Sequence, residues 1–232
     1  MINSREFNID LSLWEVDVKT IGQSQNRIIK IKNFFSNPNK VREIALQAEL
    51  KSTIMGEKSS TPGYISRIGN VDMMFLSSFK EILHEKMDAS RLILHNPKNC
   101  IFTIQKYKPG ELCRTTSMYP HVDWMHYACV LGLNTNEELE GTESSTAFCR
   151  NIGTNMEHTC SDMNYRHNRA RNQDNTMVPL DPSTFDKCGW LTYHKEPHEY
   201  NTLLMYEGNL WHTPYFNTNW ICDRLTFNGF LK

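Results

Sequence analysis

The chain has 232 residues, 39% hydrophobic and 11% aromatic, which is enough for one large core, and we expect a single domain over residues 1–232. A formal net charge of -1 gives no field to attract nucleic acid or an anionic membrane. The sequence has no apolar run of about 18 residues and no signal-peptide pattern, and its seven cysteines form no Cys-x-x-Cys pair. These features argue against a membrane span, a disulfide framework and a zinc knuckle, and favour a cytoplasmic protein.

Residues 1–98 mix strand and helix signals. Residues 27–32 have strand character, and Asn37 followed by Pro38 is typical of a helix start. Apolar residues then recur at helical spacing, which predicts an amphipathic helix over 38–50. Turn residues at 61–64 precede a second predicted helix, which begins near residue 78. We interpret this region as an N-terminal support for the part that follows.

From residue 99 the hydrophobic period changes to two, which is typical of strands. Strands are predicted at 100–107, 126–133, 145–150, 202–206, 210–215 and 223–231. Strands at this spacing favour a sandwich or barrel, so we predict a mainly β protein whose core, residues 99–232, is a jelly-roll, cupin-like barrel. Residues 151–200 are polar, and we interpret them as a long insertion pinned by Trp190.

Three residues in this β region form a candidate metal site. His121 and Asp123 are two apart on an extended segment, so their side chains point to the same side. His212 lies 89 positions after Asp123 (212 minus 123), which leaves room for the four or five strands of a double-stranded β-helix. Two imidazoles and one carboxylate on one face of a metal are the ligand set of non-haem Fe(II) oxygenases. We therefore expect these three residues to be the metal ligands and the catalytic centre.

The remaining histidines fit a metal site less well. His194 and Glu196 form a second His-x-carboxylate pair, but too few residues separate them from the third candidate ligand. His126 is interpreted as a histidine of the core or of the surroundings of the site. The histidines of the polar insertion are expected in solvent: His158, His167 and His198.

Arg224 follows His212 by twelve positions, and Thr226 lies on the same strand face. His-x-Asp, a distant His and then an Arg about ten to twelve residues later is a pattern that resembles the Fe(II)- and 2-oxoglutarate-dependent dioxygenases, here over residues 99–232. Residues 144–150 are similar to a Gly-Gly-Thr-x-Phe-Tyr-Arg segment of the prolyl-hydroxylase-like branch, although both glycines are replaced. The segment from Asn37-Pro38 to Pro62-Gly63 is similar to an uncharacterised bacterial and phage group.

The resemblance implies that Fe(II) and 2-oxoglutarate are required, with ascorbate as a candidate stimulant. Arg224 would bind the far carboxylate of 2-oxoglutarate, and Thr226 would assist it. Tyr107 is a candidate hydroxyl donor to the same carboxylate, with a core tyrosine as the equal alternative. Asp123 occupies a position that related halogenases leave open for chloride, which favours hydroxylation of an unidentified small molecule or protein side chain.

Two other classes stay open on the sequence. A cupin-type metal enzyme that works without 2-oxoglutarate would not need Arg224 or Thr226, and a non-catalytic β-barrel binding module would not need the triad. Substrate-pocket candidates, each of which could equally be packing residues, are Tyr119, Trp124, Arg150 and Trp211. Residues 151–200 are expected to cover the open side of the site and to select the substrate. The oligomeric state is left open.

Overall fold

A computed structural model of the chain describes residues 2–3, 7–48, 51–52, 64–69, 77, 81, 84–86, 100–107, 120–123, 125–159, 189–216 and 222–231. The predicted turn at 61–63 and most of the helix predicted from residue 78 lie outside these residues, although positions 77, 81 and 84–86 are helical. Residues 160–188 of the predicted insertion also lie outside them. Within the described part of the chain, no helix is long and apolar enough to cross a bilayer.

Besides the helical positions at 77, 81 and 84–86, the described residues include twelve strands and two α-helices whose bounds are defined. The strands are β1 (Ile2–Asn3), β2 (Glu15–Ile21), β3 (Asn26–Lys32), β4 (Lys51–Ser52), β5 (Tyr64–Gly69), β6 (Cys100–Tyr107), β7 (Tyr127–Gly132), β8 (Ser144–Asn151), β9 (Trp190–Pro197), β10 (Leu203–Glu207), β11 (His212–Phe216) and β12 (Arg224–Leu231). The helices are α1 (Pro38–Gln47) and α2 (Asn136–Leu139). A single 3-10 turn, Leu11–Leu13, precedes β2.

The strands divide into two sheets. The larger has the order β1-β5-β6-β12-β7-β10-β3-β2, with β4 paired to β5, and the smaller has the order β11-β8-β9. Among the described residues no ladder joins the two sheets, so they form an open sandwich and not a closed barrel. The predicted fold class, mainly β with a jelly-roll, cupin-like core of the double-stranded β-helix type, is confirmed.

The two faces of the larger sheet differ in chemistry because side chains alternate along each strand. On one face β12 presents Leu225 and Phe227, which join an apolar core with Val41 and Ala45 of α1. On the opposite face β12 presents Arg224, Thr226 and Asn228, which are at most 7% exposed. This second face packs on the smaller sheet, where Phe148 of β8 contacts Tyr206 of β10 edge to face. The interior between the sheets is therefore lined by buried polar groups that need partners.

Helix α1 forms where its start signals predict. The side chain of Asn37 accepts a hydrogen bond from the backbone of Lys40, and Pro38 occupies the first turn. Val41 and Ala45 are fully buried on the sheet. The helix ends at Gln47, short of the predicted end at 50, because Ala48 adopts an extended conformation.

Five strands were absent from the sequence prediction, namely β1, β2, β4, β5 and β9, and two of them, β9 and β2, show why. Strand β9 lies inside the predicted insertion 151–200 and pairs with β8 over its whole length, so the insertion ends before residue 190. Strand β2 lies at the edge of the sheet. Its apolar residues Val16 and Val18 are 37% and 42% exposed, so the alternation of apolar and polar residues along β2 does not mark a buried face. In both cases the backbone pairing of the sheet determines a strand that the apolar pattern does not indicate.

Candidate metal centre

The backbone brings His121 and His212 side by side. The N–H of each donates to the carbonyl of the other at 2.9 Å, which forms an isolated antiparallel bridge at the start of β11. The N–H of Asp123 donates to the carbonyl of Gly208 at 2.7 Å. The segment that follows β6 and the turn between β10 and β11 are thus joined along their backbones. These backbone hydrogen bonds hold the His121–Asp123 pair next to His212, as the sequence predicts.

A close approach at Gly208 makes this junction possible. A Cβ at this position would lie 2.1 Å from the carbonyl oxygen of Met125 and 3.4 Å from the Cβ of Asp123. The Gly208 N–H also donates to the carbonyl of His126 at 2.8 Å. A larger residue would therefore push the Asp123 segment away from His212.

The three side chains converge. One ligand atom from each of His121, Asp123 and His212 lies within 4.8 Å of the others, and this is the single group of its kind among the residues that the structure describes. Nε2 of His212 lies 3.3 Å from Oδ2 of Asp123, and the two imidazole rings are 4.5 Å apart. Two ligands at right angles around an ion with bonds of about 2.0–2.2 Å lie about 3 Å apart. The spacing therefore suits one shared cation.

Hydrogen bonding fixes the orientation of His212. Its Nδ1 lies 2.9 Å from the carbonyl oxygen of Leu210, an acceptor, so Nδ1 carries a proton and Nε2 points toward Asp123. Oδ2 of Asp123 is buried and makes no hydrogen bond to any described residue. Two acceptors facing each other at 3.3 Å repel unless a proton or a cation lies between them. The donor set thus fits a divalent metal ion.

Electrostatics favour the ionised form of Asp123. Burial alone would raise the pKa of this carboxyl, but the imidazoles of His212 and His121 outweigh burial and hold its pKa below the usual range. The ring of Tyr206 stands edge-on to His212 with centroids 4.7 Å apart, and it is 4% exposed. The triad consequently offers an ionised carboxylate beside two imidazoles, with an aromatic side chain packed against one of them.

Two of the predicted cosubstrate residues, Arg224 and Thr226, lie on the polar inner face of the larger sheet. Arg224 and Thr226 are 4% and 1% exposed, and Oγ1 of Thr226 makes no hydrogen bond to a described residue. Tyr107 pairs with Arg224 across the β6–β12 ladder, but its side chain is outside the described part of the chain. The roles of all three, like those of the metal ligands, stay predictions.

Two histidines differ from their predicted positions. His126, expected in the core or beside the site, is exposed because it lies in the bend before β7. His198, expected in solvent, is 8% exposed and lies 2.9 Å from a guanidinium nitrogen of Arg224. Recognition of β9 would have indicated His198, because it continues the alternation of His194 and Glu196 on the inner face.

The predicted pocket residues divide into two pairs. Tyr119 and Trp124 lie outside the described residues. Arg150 donates to the carboxylate of Glu157 through two nitrogens, at 3.0 and 2.6 Å. Trp211 packs against Trp190 with ring centroids 4.7 Å apart, so it serves as packing. The sequence had given no indication of Glu157, whose other partners, Gln23, Ser24 and Asn26, lie more than 130 positions away near the start of the chain.

Comparison with known proteins gives a family match and several distant structural similarities. The model of a family of unknown function (DUF6445) matches residues 13–231. No curated protein matches the chain.

Three of the similar solved structures illustrate the range. A Pseudomonas putida prolyl-4-hydroxylase has a TM-score of 0.48 and 11% identity, over 90% of this chain and 94% of that one. A Trichoplax adhaerens prolyl hydroxylase, solved in complex with a hypoxia inducible factor peptide fragment, has a TM-score of 0.43 and 13% identity, over 90% and 84%. The non-heme alpha ketoglutarate dependent epimerase SnoN from nogalamycin biosynthesis has a TM-score of 0.43 and 11% identity, over 89% and 78%.

Proposed function

The chain belongs to DUF6445, a family of unknown function, and we propose that it is an Fe(II)- and 2-oxoglutarate-dependent dioxygenase that hydroxylates its substrate. The observation that carries the proposal is the buried Oδ2 of Asp123, which has no hydrogen-bond donor among the described residues and faces Nε2 of His212 at 3.3 Å. With His121 it completes a set of two imidazoles and one carboxylate. Such a set leaves the other positions of the metal open for a chelating cosubstrate and O₂.

The residues of the chain would hold and tune the iron. Asp123 compensates one of its two positive charges, so the bound ion keeps a net attraction for an anionic cosubstrate. The hydrogen bond from His212 to the Leu210 carbonyl keeps its ring in the tautomer that can ligate. When bound, Fe(II) would supply the oxidative chemistry, in which a substrate C–H, O₂ and 2-oxoglutarate become C–OH, succinate and CO₂.

Arg224 and Thr226 would bind the far carboxylate of 2-oxoglutarate. A buried guanidinium attracts a carboxylate more strongly than an exposed one, because little water screens it. Thr226 adds a buried hydroxyl that has no hydrogen-bond partner among the described residues. The Tyr206 hydroxyl responds to both parts of the site. Burial is the main cause that raises its pKa; the charge of Asp123 raises the pKa further, and the charge of Arg224 lowers it. Asp123 and Arg224 thus both lie within electrostatic reach of one ring.

Succinate formation tests the proposed reaction. Fe(II)-loaded protein supplied with 2-oxoglutarate and O₂ should form succinate slowly even without substrate, and His212→Ala should abolish this. The matched control is His126→Ala, which removes an exposed imidazole close to the site in sequence and should leave the rate unchanged. Equal succinate formation by wild type and His212→Ala would refute the proposal.

A substrate screen extends the same assay. Candidates from both open classes, small molecules and peptides, should be scored by how far they raise succinate formation above the uncoupled rate. Iron binding without any 2-oxoglutarate binding would instead support the cupin-type enzyme that needs no cosubstrate.

A further inference from the structure

Strand β2 forms one edge of the larger sheet. It pairs with β3 along its whole length, Glu15–Ile21, without a register shift. Within the described part of the chain no strand pairs with its other side. The strand contains no proline, no glycine and no bulge, the features that usually protect an edge from pairing with another chain. The outer side of β2 is therefore suited to receive a further strand.

The side chains of β2 are also largely uncovered. Ile21 is the one buried residue of the strand, Lys19 is partly buried, and the other five are exposed. Among the described residues seven large apolar side chains are exposed, and four of these lie close together in sequence: Leu11, Leu13, Val16 and Val18. Exposed apolar groups beside an open sheet edge indicate a surface for association.

The charges of β2 restrict which strand can pair with it. A lysine on an edge strand opposes a second strand unless that strand places an acidic residue opposite it. Nζ of Lys19 lies 3.1 Å from Oε1 of Glu196, a buried carboxylate of β9, so its position is fixed. Asp17 is 59% exposed, and its carboxylate lies 3.8 Å from Nζ of Lys19. An incoming strand must therefore carry one acid and one base at matching positions.

Strand β2 itself meets this requirement in one antiparallel register. A two-fold axis through Val18 pairs all seven residues with those of a second copy, and places Asp17 of each copy opposite Lys19 of the other. Opposite charges at facing positions stabilise an antiparallel pair, whereas like charges destabilise it. Moving the axis by one residue, to Asp17 or to Lys19, places that residue opposite itself and leaves part of the strand unpaired.

We propose that the chain forms a two-fold dimer in which β2 pairs antiparallel with β2 of a second copy, centred on Val18. The larger sheets of the two copies then form one continuous sheet. Each Lys19 lies between Glu196 of its own chain and Asp17 of the other copy. A pair of seven-residue strands buries less than the roughly 1,600 Å² of a standard interface, so the dimer dissociates on dilution. The inference is independent of the metal and of the cosubstrate.

Disulfide cross-linking tests the register. Val18→Cys places two thiols opposite each other, where facing Cα atoms of an antiparallel pair are about 4.5–5.5 Å apart, a distance that a disulfide can span. Val16→Cys is the matched control, because Val16 is similarly exposed on the same face. In the proposed register the two copies of position 16 are roughly 13 Å apart, four residues along the strand. Under mild oxidation Val18→Cys should form a covalent dimer above the background of the wild type, and Val16→Cys should not.

Sedimentation of the full chain tests the dimer itself. Over a concentration series up to about 500 µM, wild type should change from monomer to dimer. Val18→Lys places two cations at the axis and should weaken dimerisation by at least about tenfold. The control is Leu191→Lys, because Leu191 is 39% exposed on β9, at the edge of the smaller sheet. This variant should dimerise like wild type.

Four results would overturn the inference. They are a wild type that stays monomeric at every concentration, a Val18→Lys dimer as stable as that of wild type, equal losses in Val18→Lys and Leu191→Lys, and cross-linking of Val16→Cys that matches that of Val18→Cys. A strictly monomeric protein would leave the β2 edge to an extended peptide of another protein. None of these measurements involves iron or 2-oxoglutarate, so failure of the dimer and failure of the proposed function are separate results.

Discussion

Glu157 is a buried carboxylate and Asp123 a partly buried one with a buried Oδ2, and they differ in which groups contact their oxygens. Glu157 is 1% exposed and accepts from the backbones of Gln23 and Ser24, from the amide of Asn26 and from the Arg150 guanidinium. Asp123 has one oxygen that no described residue donates to, and imidazole nitrogens face it. A carboxylate surrounded by fixed donors stabilises the fold, whereas a carboxylate that faces potential metal-ligating nitrogens can bind a cation.

Arg150, which is partly buried, and Arg224, which is buried, differ in a similar way. Arg150 is paired with the carboxylate of Glu157, so their charges cancel within the structure. Arg224 has the neutral ring of His198 beside it. Arg150 and its acid join parts of the fold, whereas the His198 contact of Arg224 brings no negative charge with it. Variants that separate stability from binding can test both contrasts.

The largest expected effect is on metal binding. Asp123→Ala removes the one carboxylate of the triad and should weaken Fe(II) affinity by more than about 100-fold. Because the imidazoles hold the pKa of Asp123 below its usual value, the ionised carboxylate favours the folded metal-free protein, so its melting temperature should fall, but only slightly. Metal-titration calorimetry and thermal melts check both parts, with His126→Ala as the control. A variant that keeps wild-type iron affinity would contradict the assignment of Asp123.

Glu157→Gln should have the opposite profile. Losing the anion leaves the partly buried Arg150 beside a neutral group, and the free energy of unfolding should fall by up to about 3 kcal/mol, the lower end of the range for removing one partner of a buried pair. Fe(II) affinity of the folded protein should not change. Urea unfolding measures the loss, and the control is Glu143→Gln, whose exposed pair with Lys195 should contribute no more than about 1 kcal/mol.

Acid sensitivity gives an independent test of Glu157. Burial would raise its pKa, but the backbone N–H groups of Gln23 and Ser24, and then Arg150, hold its pKa below the ordinary value of 4.5. Its contribution to stability is therefore present above pH 4.5 and is lost as the pH falls through the lowered value. Stability measured by urea unfolding should decline less steeply below this pH in Glu157→Gln. Parallel declines would show that another group is responsible.

Arg224→Ala tests the binding side of the arginine comparison. Losing a charge-assisted partner weakens 2-oxoglutarate binding by about 1.5–3 kcal/mol, or roughly tenfold or more, while Fe(II) binding persists. Arg224→Lys should recover part of the affinity, because it restores the charge without the planar fork. Unchanged 2-oxoglutarate affinity in the alanine variant would favour the enzyme class that needs no cosubstrate.

The smallest expected effect is that of Thr226→Val. It removes one neutral hydrogen bond to the cosubstrate carboxylate, worth about 0.5–1.5 kcal/mol, so 2-oxoglutarate affinity should fall by roughly twofold to tenfold. The free protein should be at least as stable as wild type, because the buried hydroxyl has no partner among the described residues. A loss of stability instead would mean that Thr226 has a structural role.

The sequence predicted what depends on residue type and short spacing. The alternation of apolar residues predicted the bounds of β6 and β12 to within one residue, at 100–107 and 223–231. The two-residue spacing of His121 and Asp123 predicted that their side chains lie in the same site. Asn37 and Pro38 gave the start of α1 because capping is local.

The remaining features depend on contacts between distant parts of the chain. The structural role of Glu157 depends on the backbone N–H groups of Gln23 and Ser24, which lie at the turn between β2 and β3 and donate to its carboxylate. His198 is buried only because β9 pairs with β8 and directs it at Arg224. Strand β9 itself has polar residues on its inner face, such as Glu196 paired with Lys30 of β3, so its hydrophobic pattern was not visible. Buried polar pairs of this kind hide a strand from any prediction based on apolar periodicity.

The central claim is that His121, Asp123 and His212 hold an iron ion and that 2-oxoglutarate chelates this ion. Its most direct test is an anaerobic titration of the Fe(II)-loaded protein with 2-oxoglutarate, followed by visible absorption. A metal-to-ligand charge-transfer band should grow to saturation at one equivalent in wild type and should be absent in Asp123→Ala. If wild-type protein that has bound one Fe(II) gives no such band, the claim is contradicted.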